Sequence, residues 1–416
     1  MSGDGESHAE FLADFAYLSS IGGLPSGGVD REAATIADAK QRTWLGGWLA
    51  ARGFDVHVDE VGNQFGLMTF VEGAPYVLTG SHLDSQPTSG RFDGAYGVLA
   101  SAHAANRVAK GVRSGAINAV FNLAVVNWFN EEGSRFPPSM MGSAVFTGKL
   151  SLDTALAVTD ARGVSVRRAL DEIGYRGDFD GLPVQSYAEI HIEQGKELEQ
   201  TGHQIGIVTG TWGARKLAVT VRGEQSHTGS TLMADRKDAL LGAAHLIAAA
   251  RALCEEIDGV LHTAVSHLEV YPNSPVVVAS EVRSNLDLRS PDPAVLEEAE
   301  RRMRVTAVRI ERDLNVRIDL AKTHSWDRND YTPAGFALSE RASADAGYSH
   351  REILTVAGHD STNLKDLVPT VMLFVPSRDG VSHNEYEYTE DADLLAGLDV
   401  MGGVVRQMVS GALQSV

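Results

Sequence analysis

The chain has 416 residues, 43% of them hydrophobic and 22% charged, ordinary values for a folded globular protein that exclude a disordered or fibrous one. Its 55 acidic residues against 36 basic ones leave a formal charge of -19 with no Lys/Arg block, which excludes nucleic acid and anionic membrane as expected partners. A single cysteine, Cys254, excludes an internal disulfide framework, and with no basic-then-apolar leader and no apolar run of membrane-spanning length the expected location is cytoplasmic.

Taken in chain order, Asp30 is placed to cap a helix over residues 31 to 52, with Ala34, Ile36, Ala37, Trp44, Leu45 and Trp48 partly on one face and Gly53 as its stop. The apolar run Tyr76-Val77-Leu78-Thr79 reads as a buried strand that brings His82 to its C-terminal end. Residues 95 to 109 read as a helix, and residues 117 to 128 as a strand leading into Glu131 and Glu132. Residues 188 to 193 alternate apolar and polar, the pattern of a half-buried strand with His191 and Glu193 on one face. Strand ends are where open α/β sheets place their binding sites.

The pattern then changes. Strand (216 to 222), helix (236 to 256), strand (262 to 270), strand (281 to 289), helix (292 to 313) and strand (315 to 323) follow one another, the βαββαβ order of a ferredoxin-like unit. The α/β pattern resumes with a helix near 335 to 347, a strand over 370 to 375 and a C-terminal helix from about Asp391. At this length two domains are expected. The expected fold is therefore a discontinuous α/β/α catalytic domain, residues 1–212 and 324–416, interrupted by an inserted ferredoxin-like domain, residues 213–323.

Chemistry-bearing residues gather in four turn-rich motifs: GSHLDSQPTSGRFDGAYG at 80 to 97, NEEGSRF at 130 to 136, EIHIEQG at 189 to 195 and DGVSHNEYE at 379 to 387. Each alone has an ordinary reading. His82 is a lone histidine, Asp93 stands before a glycine at a helix start and suits a cap, Glu131-Glu132 suits a solvated pair, and His383 suits an exposed loop. Their joint occurrence points elsewhere. Imidazoles and carboxylates together suit zinc, manganese, cobalt or nickel, and two such ions held close together activate water for hydrolysis. Asp84, two residues after His82, is placed to accept a hydrogen bond from the imidazole nitrogen that faces away from the metal. Of two adjacent acids, one can ligate while the other takes the water's proton. His227, in Ser226-His227-Thr228-Gly229, is either a loop residue or a donor to an oxyanion. His103 and Cys254 read as packing residues.

With SHTGSTLMADRKDA, LDLR and AGHDS added in order, the series resembles the M20 metallopeptidase superfamily, in its hydantoinase/carbamoylase branch of N-carbamoyl-L-amino acid, allantoate and ureidoglycolate amidohydrolases and β-ureidopropionases. The resemblance runs over nearly the whole chain. It implies two divalent metal ions per subunit, zinc or manganese first and cobalt or nickel next, with Asp93 bridging, His82 and His191 on one ion and Glu132 and His383 on the other. It implies that Glu131 is the general base, that His227 polarises the scissile carbonyl in the active site of a partner subunit, and that Gln194, Arg289 and His359 contact substrate. The inserted domain then serves as lid and dimerisation domain of a homodimer.

The chain departs from that pattern in three places. Val276 stands thirteen residues before Arg289, where carbamoylases carry a carboxylate-holding asparagine, and Lys196 and Leu232 stand where the family has proline. The expected activity is hydrolysis of a non-peptide carbon–nitrogen bond outside a ring, in a small carboxylate-bearing substrate of N-carbamoyl or ureido type, with ammonia released. Val276 keeps a second reading open, hydrolytic deamination of an aminoaromatic acid such as a nitroanthranilate. A dipeptidase or aminoacylase is a third, disfavoured by His191 where peptidase branches place a carboxylate.

Overall fold

The computed structural model describes residues 2–413. They form two compact units, one made of the chain up to Thr209 and from Tyr331 onward, the other of Gly210–Asp330.

The first unit is built on a mixed sheet whose strands run in the order Asp55–Val58, Gln64–Met68, Asn122–Trp128, Tyr76–His82, Val184–Ile192, Thr370–Val375 and Ile205–Thr211, with His350–Thr355 also paired to the last. Its four middle strands are parallel. All four therefore end at one edge of the sheet, where His82 lies opposite Trp128 and His191 opposite Phe374.

These strands are apolar because both sides of the sheet are covered. Along Asn122–Trp128, Leu123 and Val125 join the core formed with the helices Ala95–Arg113 and Asp391–Val409, while Ala124, Val126 and Trp128 join a second core on the other side. The segment 188 to 193 departs from its half-buried reading for the same reason. Ala188, Glu189, Ile190, His191 and Ile192 are all buried, so the polar residues there face a packed interior.

The first predicted helix starts later than its pattern suggests. It spans Ile36–Ala51, capped by the Thr35 hydroxyl rather than by Asp30, because Ala34 takes a left-handed φ of 54° that helix geometry excludes. Ile36 consequently lies on the solvent side, and Gly53, at φ 84°, follows the helix as expected. The strand expected over 117 to 128 begins only at Asn122. A helix that periodicity did not single out, Ser2–Ser20, inserts Phe11, Phe15 and Leu18 into the main core at i, i+4 and i+7. His103 packs against the Trp48 ring and bonds to Asp14 at 3.0 Å, and Cys254 is half-buried.

In the second unit an antiparallel sheet runs Leu268–Tyr271, Glu281–Ser290, Gly213–Arg222, Arg317–Trp326, and Leu217, Val219, Val282 and Leu286 pack there with helices Ala239–Glu256 and Pro293–Leu314. Asp238 and Asp292 cap those helices through their carboxylates. The strand expected over 262 to 270 is split into His262–Ala264 and Leu268–Tyr271, both paired to Glu281–Ser290. No helix among the described residues is long and apolar enough to cross a membrane.

Candidate metal centre

The common edge of the four parallel strands collects the motifs. His82 ends its strand, Glu131 and Glu132 follow Trp128, His191 is the penultimate residue of its strand, and His383 lies in the loop after Thr370–Val375. Asp93 precedes Gly94, the first flanking residue of helix Ala95–Arg113, and that helix has no side-chain cap. Asp93 is therefore not used as a cap. Gly94 has φ 63°, and a Cβ there would lie 2.3 to 2.5 Å from atoms of the His82 ring, so only glycine lets Asp93 and His82 approach.

Asp93 is the hub. Its Oδ1 is 2.9 Å from His191 Nε2 and 3.5 Å from His82 Nε2, and its Oδ2 is 3.2 Å from His383 Nε2, which in turn is 3.4 Å from Glu132 Oε2. His82, Asp93 and His191 form one group of converging ligand atoms, and Asp93, Glu132 and His383 form another. The Nδ1 of His82 bonds to the Asp84 carbonyl at 3.0 Å and that of His191 to the Ile192 carbonyl at 2.9 Å. Both Nδ1 atoms therefore donate and both Nε2 atoms face Asp93, where the Gly94 N–H also reaches His191 Nε2 at 3.0 Å. Imidazole nitrogens and carboxylate oxygens directed at the same point suit a cation, whether proton or metal ion. All five donors are nitrogen or oxygen, which fits divalent zinc, manganese, cobalt or nickel.

The electrostatics agree. Burial opposes ionisation of Asp93, but His191, His383 and His82 outweigh it and hold the carboxyl well below its usual range. Its hydrogen bond to Asp93 pushes His383 up to about 9. Burial, then Asp93, lifts Glu132 to about 7, and burial lifts Glu131 well above the usual range. Burial and the neighbouring His191 press His359 well below its ordinary value, so that imidazole is neutral. Strongly shifted groups of both signs in one cluster, buried except at the exposed His383, are the electrostatic mark of a functional site. Asn130, Gln194 and His383 adopt left-handed φ values of 54°, 60° and 53°, backbone strain of the kind that functional sites hold.

Asp84 acts differently from its sequence reading. Its backbone carbonyl, not its carboxylate, takes the His82 hydrogen bond, and the carboxylate lies 3.6 Å from that nitrogen. The carboxylate instead accepts the backbone N–H groups of Glu131 and Glu132, each at 3.2 Å. Glu131, 8% exposed, has Oε2 3.5 Å from His82 Nε2. Gln194 donates to Asp93 Oδ2 at 2.8 Å and to Ser382 at 3.1 Å. His359 is buried with its ring 4.6 Å from that of His191, and its Nε2 has no hydrogen-bond partner among the described residues.

Three predicted site residues lie in the second unit. His227 is exposed, in a two-residue strand paired to Val277–Val278, and its Nδ1 accepts the N–H groups of Gly229 and Ser230 at 3.0 and 3.1 Å. The proton is thus on Nε2, which is a donor. Val276 is 61% exposed. Arg289 reaches the Asp287 carboxylate at 2.8 Å.

Gln86 escaped the sequence reading. Its side chain donates to Glu132 Oε2 at 2.9 Å and its backbone to Oε1 at 3.2 Å, orienting the carboxylate. The available signal was an amide in the same turn as His82 and Asp84, and only folding reveals that Glu132 lies beside it.

Residues 78–407 match the model of peptidase family M20/M25/M40. The chain is 51% identical over 412 residues to a Mycolicibacterium smegmatis protein named no more narrowly than as a hydrolase, covering 98% of this chain and 94% of the relative. It is 34% identical over 389 residues to the N-carbamoyl-L-amino-acid amidohydrolase of Rhizobium meliloti, covering 92% of each. The crystal structure of an amidase of the hydantoinase/carbamoylase family from Burkholderia vietnamiensis superposes with a TM-score of 0.89 at 36% identity, over 98% of both chains. With a converging His, Asp and Glu cluster at the ends of parallel strands and matches over nearly its full length, the chain belongs to peptidase family M20/M25/M40, in the hydantoinase/carbamoylase branch.

Proposed function

We propose that the protein is a dinuclear metal amidohydrolase that cleaves a non-peptide, non-ring carbon–nitrogen bond of a small carboxylate-bearing substrate of N-carbamoyl or ureido type, releasing ammonia. The observation that carries this reading is the sharing of Asp93 between two ligand groups, His82 with His191 and Glu132 with His383. Zinc or manganese suits these donors best, with cobalt or nickel as alternatives. When bound, the pair of ions supplies a strongly acidified water and polarises a carbonyl.

The residues around that pair have separate tasks. Glu131, at the buried edge of the cluster, takes the water's proton and passes it to the leaving nitrogen, a task suited to a carboxyl whose proton affinity burial has raised. Asp84 and Gln86 fix the Glu131-Glu132 turn so that one carboxylate ligates and the other stays free. His227, with its proton on Nε2, is the donor that polarises the scissile carbonyl from a partner subunit of a homodimer. The inserted unit is the lid and dimerisation domain in this reading. Gln194, Arg289 and His359 contact the substrate, and Val276 supplies apolar surface where an amide donor would hold a carboxylate. The carbamoylase relative favours this chemistry over the aminoaromatic deaminase and dipeptidase readings. The expected location is the cytoplasm.

The test is ammonia release by metal-loaded protein from N-carbamoyl-amino acids, allantoate and β-ureidopropionate, beside aminobenzoates with and without nitro groups and simple dipeptides. Ammonia from a carbamoyl or ureido compound supports the proposal. Release from the activated aminobenzoates alone, or free amino acids from dipeptides without ammonia, overturns it.

A further inference from the structure

The loop that carries His383 ends in Glu387, a residue that is 4% exposed and belongs to neither ligand group. Its Oε1 accepts the backbone N–H of Phe92 at 3.0 Å and of Asp93 at 3.1 Å. Its Oε2 accepts the Ser382 hydroxyl at 2.9 Å. One carboxylate thus grips two segments almost three hundred positions apart in sequence, the turn that presents Asp93 and the loop that presents His383.

The surroundings are shaped for this grip. A Cβ on Gly90 would lie 2.2 Å from Glu387 Oε1, so the turn comes this close only because residue 90 is glycine. The Tyr388 ring meets the Phe92 ring edge-on with centroids 5.5 Å apart. The loop is also closed on itself, Arg378 N–H donating to the Tyr388 carbonyl at 2.8 Å and Thr389 Oγ1 to the Pro376 carbonyl at 2.9 Å. The two ends of the loop are therefore tied together, and Glu387 ties the loop to the turn of Asp93. Ser382 extends the grip, since its Oγ is 3.3 Å from Asp93 Oδ2 and receives the Gln194 side chain at 3.1 Å. No strand pairing joins the two segments, and the short 3-10 turn Arg378–Gly380 lies within the His383 loop alone, so no backbone ladder would hold Asp93 and His383 in register if the carboxylate were removed.

We propose that Glu387 is a positioning residue for the metal centre, holding the shared Asp93 carboxylate and the His383 imidazole at ligating distance from one ion. This rests on the dinuclear reading above. Such outer partners of metal ligands are worth roughly 10- to 100-fold in metal affinity in other proteins.

The test is titration of Mn2+ into metal-free full-length protein by calorimetry, for the parent and for Glu387→Ala, Glu387→Asp, Glu387→Gln and Asp399→Asn, with melting temperatures recorded on the metal-free proteins. In Glu387→Ala the more weakly bound equivalent is expected to bind at least tenfold less tightly. Glu387→Gln keeps one oxygen for the two backbone donors and an amide for Ser382, and is expected to restore affinity to within about threefold. Glu387→Asp, shorter by one methylene, falls between them and serves if the alanine variant does not fold. Asp399→Asn, which breaks a half-buried network lacking any of these ligands, is expected to lower the melting temperature without weakening Mn2+. Parental affinity in both the Ala and Asp variants overturns the proposal, as does loss of Mn2+ by Asp399→Asn in step with its melting temperature. A parent protein that binds no Mn2+ or Zn2+ overturns the metal-centre reading itself.

Discussion

Asp84 Oδ1 accepts the backbone N–H of Glu131 at 3.2 Å, and the other oxygen of the same carboxylate accepts the next N–H along. A side chain from one strand end thus sets the backbone of the acid pair that follows a neighbouring strand. Replacing it with Asn exchanges one acceptor for an amide that meets another N–H head-on. Leaving a buried donor unsatisfied costs about 1–3 kcal/mol. Asp84→Asn is expected to lose that much stability in denaturant titrations and about 10- to 100-fold in kcat, since a misplaced Glu131-Glu132 turn affects both ligand and base. A stable variant with parental kcat would show that the turn holds itself.

Glu131→Gln separates the proposed base from the proposed ligands. The amide cannot take a proton, yet Asp93, His82, His191, Glu132 and His383 remain in place. Elemental analysis is expected to find the parental metal content, while kcat falls about 10²- to 10⁴-fold, the usual contribution of general base catalysis. Turnover near the parental rate would remove Glu131 from the mechanism.

Gly94→Ala is expected to damage the site through shape alone. The added methyl would overlap the His82 ring, and the backbone sits at φ 63°, where a side chain is strained. The conformational penalty alone is about 1 kcal/mol or more. Metal uptake is expected to drop with stability, because His82 must move to make room. Calorimetric metal titration and thermal melts check both.

Acid stability offers a test away from the site. Asp399 takes hydrogen bonds from His8 at 2.8 Å, Arg107 at 2.7 Å and Tyr348 at 2.9 Å. Burial opposes its charge, but these partners prevail and hold its carboxyl below the ordinary 3.8. A carboxyl depressed in the folded state contributes stability fully above its unfolded value and loses it as the pH falls through the folded one. Near neutral pH the parent is therefore expected to exceed Asp399→Asn by about 1 kcal/mol, a figure discounted for partial exposure. That advantage should shrink below pH 3.8 in melts taken down the acid range, and a constant gap would assign the effect to packing.

Much of this was readable from the chain because the signals are local. Tyr76 to Thr79 carries no charge and centres on Val77 and Leu78, as suits a strand covered on both faces, and the helix that opens after Asp93 has the composition and period of one. The ligand motifs stand at the ends of such runs. What local pattern misjudged has equally local causes. Ala34 turns into the left-handed region and moves the helix start to Thr35, and the alternation around His191 imitates a half-exposed strand although a second layer covers it.

The sequence by itself determined the layered α/β plan and gathered the candidate metal donors into four short motifs, since periodicity and residue chemistry act over a few positions. Only the tertiary structure decided that Asp93 lies within 3.5 Å of all three histidines, that Asp84 serves the backbone of Glu131 rather than the ring of His82, and that Gln86 reaches Glu132 and Glu387 the backbone of Asp93. Those relations join residues up to 295 positions apart. Their geometry is set by the parallel pairing of four strands, which brings distant chain segments to one edge and which no local pattern encodes.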